Sequence, residues 1–162
     1  MVILILLALA LVFGLGAWLG APYLPVLSAD TQSLLDLADL EAGQLLLDLG
    51  CGDGRLLKSA ARRGVRGIGY EINPLLWLVA VINLWPYRKL VKVRLANYWS
   101  TKLPQADAIY VFLIDHYMAK LDAKLIREVT RPTKVVSYVF AIPNLEPVET
   151  TKNSFLYNYP KS

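Results

Sequence analysis

The amino-acid sequence predicts an α/β protein with a mostly parallel sheet, preceded by an N-terminal transmembrane helix. Two features of the 162 residues support this prediction. Residues 1–29 contain no charged side chain, and residues 44–142 alternate short apolar runs with segments of helical character. Strands that alternate with helices are typical of a parallel sheet covered on both faces. A composition of 56% hydrophobic and 19% charged residues excludes a disordered chain.

The opening segment predicts a membrane anchor over residues 1–20. Residues 2–20 read VILILLALALVFGLGAWLG, and a helix needs about 20 such residues to cross a bilayer core. Trp18 and Tyr23 lie where an interfacial aromatic belt would be. A cleaved signal peptide is the alternative, but no Lys or Arg precedes the run, which is also longer than a usual signal sequence. The absence of basic residues near both flanks leaves the orientation of the anchor undefined.

Residues 21–43 predict a connector followed by a capping helix. Pro22 and Pro25 make the connector stiff and extended, because each proline fixes its own φ and restricts the preceding residue. Asp30 is predicted to cap the helix and Gly43 to end it. The predicted apolar face of this helix consists of Leu34, Leu35, Ala38 and Leu40.

Five short apolar runs predict buried strands, because they are flanked by glycine, proline or polar residues. They span residues 44–49, 67–72, 89–96, 106–114 and 134–142. Helices are predicted between them over residues 55–63, 74–85 and 117–129, with Gly64 ending the first and Pro74 beginning the second. Residues 147–159 are predicted to form a hairpin around Lys152, although this tail is short for completing a seven-stranded sheet.

The strongest chemical signal is the segment DLGCGDGR at residues 48–55, between the first predicted strand and the first helix behind it. Glycines at alternate positions permit tight φ values and a close approach of the backbone to a ligand. A D-x-G-x-G-x-G spacing is typical of S-adenosylmethionine sites and differs from the nicotinamide fingerprint. Because this ligand carries a sulfonium and an ammonium group, nearby acids such as Asp48 and Asp53 favour its binding.

Glu71 ends the second predicted strand, twenty-one residues after Gly50. An acid at this position can accept hydrogen bonds from the ribose hydroxyls of a bound nucleoside. A surface salt-bridge partner is the alternative, since Glu71 is the only acid among ten bases in residues 54–102. After the third strand, Asn97 and Tyr98 can offer an amide and an aromatic wall to an adenine ring. An ordinary turn with a core aromatic residue is the alternative.

Asp115 and His116 follow the fourth predicted strand, at the sheet edge where open α/β folds bind ligands. They are the candidate catalytic residues, because His116 can accept a proton near neutral pH. Helix capping by Asp115 and a solvated His116 remain the alternative. With one Cys and one His in the chain, neither a disulfide framework nor a conventional zinc site is expected.

The motifs DLGCGDGR, GIGYEINP and ANYW, behind an uncharged helix and Tyr23-Leu24-Pro25, resemble the membrane-anchored class I methyltransferases. Within them the chain is similar to the small lysine methyltransferases of the mitochondrial inner membrane that modify the adenine nucleotide translocase and the ATP synthase c-subunit. The resemblance spans roughly residues 20–142 and implies a Rossmann-like domain over residues 44–162. It also implies S-adenosylmethionine as cofactor and a lysine of a membrane or membrane-associated protein as acceptor.

The resemblance assigns a role to each residue of the motifs. The glycine loop would hold the methionine part, Glu71 the ribose, and Asn97 with Tyr98 the adenine. The loop residues concerned are Asp48, Gly50, Cys51, Gly52, Asp53 and Gly54. The chain departs from the family where Cys51 replaces a serine, where Asn97 replaces a common acid, and over residues 113–117.

The catalytic domain is expected to face the cytosol, because the methyl donor is made there. Two other functions remain open: a methyltransferase acting on nucleic acid or a small molecule, and a membrane-tethered module that binds S-adenosylmethionine without catalysis. Nucleic acid is the less favoured acceptor. Residues 113–116 lack the aromatic, proline-containing clamp that a flipped base needs, and a net charge of +4 makes no case for it.

Overall fold

A computed structural model describes residues 28–160 of the chain. The predicted anchor at residues 1–20 lies outside the described residues, as does the connector up to residue 27. None of the helices within residues 28–160 has the length and the apolar character of a membrane span. The prediction of a transmembrane helix therefore stays a prediction.

The described residues form four α-helices and seven β-strands in the alternating order that the sequence predicts. The helices are α1 (Ser28–Ala38), α2 (Arg55–Arg62), α3 (Pro74–Leu84) and α4 (Met118–Glu128). The first five strands are β1 (Leu45–Leu49), β2 (Arg66–Glu71), β3 (Val91–Leu95), β4 (Ala108–Val111) and β5 (Thr133–Tyr138). The last two are β6 (Glu149–Thr150) and β7 (Ser154–Tyr159), and short 3₁₀ turns cover Trp85–Tyr87 and Asp115–Tyr117.

All seven strands belong to one sheet, with the order β3-β2-β1-β4-β5-β7-β6. Strands β1 to β5 run parallel, and β7 pairs antiparallel with both β5 and β6. The mostly parallel α/β fold is thus confirmed. The expectation that the tail is too short for seven strands is wrong, because the predicted hairpin forms and β6 needs only two residues.

The side chains of β1 point alternately into two buried clusters, which lie on opposite faces of the sheet. Leu46 joins a buried cluster with residues of α1, α2 and α3, whereas Leu47 joins a second cluster with α4. Successive strand side chains point to opposite faces, so the apolar run QLLLDL supplies both layers. Three helices therefore cover one face, and α4 with the loop after β3 covers the other.

The start and end of α1 differ from the prediction. The helix begins at Ser28, so Asp30 lies within it and is not its cap. It ends before Asp39, whose φ of 45° is left-handed, rather than at Gly43. The Asp39 amide donates to the carbonyl of Leu35, and aspartate tolerates this conformation better than most residues. The chain therefore leaves the helix before Leu40.

Candidate functional site

The glycine loop, residues 50–54, connects β1 to α2 at the carboxyl edge of the sheet. Gly50, Gly52 and Gly54 all have positive φ, of 95°, 55° and 80°. A side chain would be strained at such values. The amides of Gly50 and Cys51 both donate to the carbonyl of Tyr70 in β2, at 2.9 and 3.0 Å. The loop is thereby fixed against the neighbouring strand.

The carboxylate of Glu71 joins this loop to the start of α3. Its Oε2 accepts from the amide of Gly52 at 2.9 Å, and its Oε1 accepts from the amide of Asn73 at 2.8 Å. Glu71 is only 7% exposed. Burial raises the pKa of Glu71, and the donated backbone hydrogen bonds partly oppose that rise. The alternative of a surface salt bridge is therefore wrong.

Asp48 lies one strand away from Glu71 and is more deeply buried, with 2% of its surface exposed. Burial raises the pKa of Asp48 to about 8, and the negative charges of Glu71 and Asp53 add to this rise. Two buried acids with raised pKa values form a site that a cation would stabilise. The pair lies beside the point between β1 and β4 where the strand order reverses, the usual ligand position in open α/β sheets.

Asp53 is oriented differently from the other two acids. Its carboxylate forms an ion pair with Arg55, with Nη2 and Oδ2 2.8 Å apart, and it also accepts from the Arg55 amide. Its backbone carbonyl accepts from the Asn83 amide group of α3 at 3.0 Å. The structure therefore gives Asp53 a role in shaping the loop, and its predicted contact with a cofactor stays a prediction.

Cys51 fills the space between the loop and β2. A Cβ on Gly69 would lie 2.6 Å from Cys51 Sγ and 2.7 Å from Leu57 Cδ1, so only glycine fits at that point of β2. Cys51 is buried, and burial raises the pKa of its thiol well above the usual value. A thiol held in its neutral form is a poor nucleophile, so Cys51 acts as a small packing residue.

Asn97 and Tyr98 follow β3 at the same edge, because Glu71 and Leu95 are paired in the sheet. Asn97 is exposed, and its Oδ1 accepts from the amide of Trp99 at 2.9 Å. Asn97 therefore closes a turn, and the predicted contacts of Asn97 and Tyr98 with an adenine ring stay predictions. Burial raises the pKa of the Tyr98 phenol, and the nearby Glu71 charge adds to the rise.

A row of aromatic rings connects Tyr98 with the segment after β4. The Tyr98 and Trp99 centroids are 4.8 Å apart, and those of Trp99 and Tyr117 are 6.1 Å apart. Tyr117 lies in the 3₁₀ turn and also contacts the His116 ring, at 5.2 Å. Sequence reasoning did not identify Tyr117 as a site residue, because only the fold brings it near Tyr98.

The candidate catalytic residues Asp115 and His116 lie in this same turn, and both are exposed. Asp115 is the first residue of the turn and His116 the second, so both are held at the carboxyl edge beside the aromatic row. Asn73, by contrast, is buried and caps α3 through Oδ1, which accepts from the amides of Leu75 and Leu76. In the sequence, an asparagine directly before a proline is typical of such a helix start and indicates this cap.

The carboxyl edge of the sheet combines three features: a glycine loop with open space beside Gly50, two buried acids and an adjacent aromatic surface. These features suit a nucleoside with a positively charged substituent rather than a phosphate, since acids repel an anion. Among residues 28–160, no group of three or more His, Cys, Asp or Glu residues could hold a metal ion.

A protein-family model described as the ANTKMT methyltransferase domain matches residues 48–149. This range includes the glycine loop, Glu71, the aromatic row and most of the sheet. The match confirms the resemblance that the motifs indicated.

Curated relatives include two eukaryotic enzymes and one archaeal enzyme. The chain is 28% identical to the ATP synthase c-subunit lysine N-methyltransferase of Homo sapiens, covering 80% of this chain and 56% of that protein. It is 31% identical to the adenine nucleotide translocase lysine N-methyltransferase of Mus musculus, covering 80% and 58%. It is 28% identical to a protein-lysine N-methyltransferase of Saccharolobus islandicus, covering 81% and 84%.

The chain thus spans little more than half the length of the eukaryotic relatives. Among solved structures, an RNA methyltransferase from Salinibacter ruber in complex with S-adenosyl-L-homocysteine has a TM-score of 0.81 and 27% identity. That similarity covers 86% of this chain and 95% of the Salinibacter chain. A methyltransferase from Geobacter sulfurreducens, also with S-adenosyl-L-homocysteine, has a TM-score of 0.61 at 20% identity and shares the fold.

Proposed function

We propose, from the premise that the chain belongs to the family of the ANTKMT methyltransferase domain, that it is an S-adenosylmethionine-dependent methyltransferase. The proposed acceptor is a lysine side chain of a membrane or membrane-associated protein. The observation that carries the proposal is the family match over residues 48–149, which contains the complete candidate site. The names of the three curated relatives all specify lysine methylation.

The buried acids fit the proposed cofactor. S-adenosylmethionine supplies an electrophilic methyl group on a positively charged sulfur. Asp48 and Glu71 are both buried, so a bound cation would offset the cost of their burial. Glu71 is the residue for the ribose hydroxyls, and the positive-φ glycines allow the backbone to approach the methionine part. Asn97 and Tyr98 would contact the adenine.

Methyl transfer to an amine depends mainly on placing a neutral nitrogen in line with the methyl group. Lysine has an ordinary pKa of about 10.4, so the acceptor must first lose a proton. Tyr98, Trp99 and Tyr117 form an apolar surface that would favour the neutral amine by removing it from water. His116 and Asp115 are exposed beside these rings, where they can pass the proton to solvent.

The proposed location is a membrane, with one N-terminal helix over residues 1–20 and the catalytic domain in the cytosol. Support comes from the uncharged apolar run of the sequence. The helix α1 packs on β5 and α2, so residues 21–27 would form the link between the bilayer and the domain. Retention of the chain in membranes after alkaline carbonate extraction tests this part of the proposal.

Transfer of a tritiated methyl group from S-adenosylmethionine to a membrane extract tests the activity. The full chain in mild detergent is incubated with the extract, and the labelled product is digested separately with protease and nuclease. Protease-sensitive label that yields methyllysine on hydrolysis is the expected result. Label in another amino acid, or donor binding without any label, contradicts the proposal.

Two variants control this experiment. Glu71→Gln keeps the shape of the side chain but removes its charge from the site, and it should abolish the label. Glu149→Gln makes the same change in β6, at the far edge of the sheet, where Glu149 is exposed. It should leave the label unchanged.

RNA methylation is the second candidate function, favoured by one observation. The Salinibacter RNA methyltransferase matches over 95% of its own length, which exceeds the coverage of the curated eukaryotic relatives. Nuclease-sensitive label in the experiment above would establish this function and exclude lysine. Residues 113–116 carry no proline beside an aromatic residue, and this favours the protein acceptor.

A further inference from the structure

Helix α3 exposes a continuous apolar stripe on its outer side. Five side chains, at positions i, i+3, i+4, i+7 and i+10 along α3 and the turn behind it, are between 43% and 64% exposed. Such spacing places them on one face of the helix. These side chains, here called the α3 surface, are Leu75, Leu78, Val79, Ile82 and Trp85.

The α3 surface is unusual among the described helices that cover the sheet. Helix α2 carries the exposed Arg62 on its outer side, and α4 carries the exposed Lys120 and Arg127. Helix α3 contains no charged residue. Its inner side already packs on the core through Ala80 and Leu84, so the fold does not require further apolar residues outside. Contiguous exposed apolar surface of this kind marks an interaction site.

Basic side chains surround the end of the α3 surface that carries Trp85. The Arg88 guanidinium lies 5.0 Å from the Trp85 ring centroid. Arg62 Nε donates to the Tyr87 hydroxyl at 3.3 Å, which places α2 next to the same turn. Exposed Lys89 follows Arg88, and residues 72–95 contain no acid.

We propose that the α3 surface binds the headgroup region of an anionic lipid bilayer. Leucine, isoleucine and tryptophan on one side, with Arg and Lys at the border, are the composition of helices that lie in a membrane interface. Anionic lipid headgroups are complementary to the charges of Arg62, Arg88 and Lys89. A second copy of the chain would instead bring two basic borders together, and like charges oppose such contact.

The inference rests on the proposed membrane location, because a bilayer must be present for α3 to bind it. It concerns α3, however, and not the proposed anchor. Helix α3 begins shortly after Glu71 ends β2, and Asn73 caps its start. Its first turn therefore lies at the carboxyl edge of the sheet, beside the candidate site. Contact of α3 with the bilayer would hold that edge close to the membrane surface, where a membrane-protein lysine would be presented.

Site-specific quenching by lipid tests the proposal on the full chain. A fluorescent dye is attached in the Ile82→Cys variant and, as a control, in the Ile126→Cys variant on α4. Ile126 is 54% exposed, comparable with the 64% of Ile82, but lies on the opposite face of the sheet. Cys51 is buried, and its labelling is measured in the unsubstituted chain. The vesicles contain phosphatidylcholine, phosphatidylserine and a nitroxide-labelled lipid.

Quenching of the dye at position 82 should be about threefold stronger than at position 126. The additional exchange of Arg88→Gln and Lys89→Gln should weaken vesicle binding of the α3 surface about tenfold. Equal quenching at positions 82 and 126 overturns the proposal. Concentration-dependent self-quenching at position 82 without vesicles also overturns it, because it identifies a second copy as the occupant.

The test separates this surface from the proposed anchor. A chain that alkaline carbonate releases from membranes, but that still shows stronger quenching at position 82, refutes the anchor and supports the α3 surface. A chain that resists carbonate and shows equal quenching at both positions supports the anchor and refutes the α3 surface.

Discussion

The two halves of the candidate site, here called the donor side and the acceptor side, are built in different ways. On the donor side, Asp48 and Glu71 are buried, and backbone amides from the glycine loop and from the start of α3 hold the Glu71 carboxylate. On the acceptor side, Asp115 and His116 are exposed in a short 3₁₀ turn. There, the Tyr117 ring contacts the rings of Trp99 and His116, and these ring contacts position the turn.

This difference has a physical reason. A fixed cofactor can be held by backbone groups, whose positions follow from the strand–turn–helix connection itself. An acceptor that differs between relatives needs side chains on a loop, which can vary without disturbing the sheet. Substitutions on the donor side should therefore affect binding or stability strongly, and substitutions on the acceptor side should affect rate alone.

The exchange of Glu71→Ala should have the largest effect. It removes the acceptor for two backbone amides and for the ribose, and hydrogen bonds to charged groups are strong. Affinity for S-adenosylmethionine, measured by calorimetry, should fall about 100-fold. The Glu149→Gln variant should keep its affinity. A Glu71→Ala variant that folds and binds within about threefold of the unsubstituted chain would contradict the ribose assignment.

The exchange of Gly69→Ala tests how tightly the donor side is packed. The added methyl group would meet Cys51 Sγ and Leu57 Cδ1 at 2.6 and 2.7 Å, and such overpacking costs about 2 kcal/mol. Thermal unfolding in detergent should occur at a clearly lower temperature. Gly43→Ala is the matched control: φ is +87° with open space around the Cβ, so strain of about 1 kcal/mol is expected. Equal losses would refute close packing at Cys51.

The exchange of Asp48→Asn should change the pH dependence of the donor side. The folded-state pKa of about 8 lies above the ordinary value, so the folded state retains a proton that the unfolded state loses. Stability of the free protein should then fall as pH rises towards 8, by up to about 1.4 kcal/mol per pH unit. The Asn variant should show a smaller fall, because only the raised pKa of Glu71 then contributes to it. Thermal unfolding of both proteins from pH 5 to about 9 measures the difference.

The same variant should bind the cofactor differently. Binding of a cation favours ionised Asp48, so the affinity of the unsubstituted chain should rise relative to that of the variant as pH approaches 8, and it should level off above that pH. Above that pH the variant should bind about tenfold more weakly. Comparison at each pH cancels the titration of the ligand itself. If the ratio of the two affinities stays constant across this pH range, the charge of Asp48 does not contribute to cofactor binding.

The exchange of His116→Gln should have the smallest effect and should affect only the acceptor side. Loss of a proton acceptor should lower the methyl-transfer rate about fivefold near neutral pH, since solvent can take the proton instead. Affinity for S-adenosylmethionine should remain unchanged. Single-turnover assays across pH, with Asp115→Asn in parallel, measure this effect. A large loss of donor affinity would show that the two sides are not independent.

Much of the fold could be predicted, because short apolar runs flanked by glycine and proline identify buried strands. The ends of the strands do not always coincide with the ends of these runs. The apolar run over residues 134–142 predicts one strand, but β5 ends at Tyr138 and Val139 has a φ of 71°. Ile142 is buried outside the sheet, where its amide donates to the Tyr157 hydroxyl. Hydrophobicity therefore indicated burial there, and hydrogen bonding to β7 determined where the strand ended.

The sequence by itself determined the local elements of the donor side. The glycine spacing after β1, the acid at the end of β2 and the Asn-Pro helix start are each contained within a few residues. Backbone sterics and capping act over that distance. These local signals also carried the family resemblance.

Only the tertiary structure decided how distant residues combine. Pairing of β1 with β2 brings the carboxylates of Asp48 and Glu71 together away from water, and this raises the pKa of both. Contact between the segments after β3 and β4 makes Tyr117 part of the site. The fold also leaves apolar side chains exposed on the outer side of α3, although this helix contains no charged residue. Burial depends on what the rest of the chain places nearby, and local sequence does not contain that information.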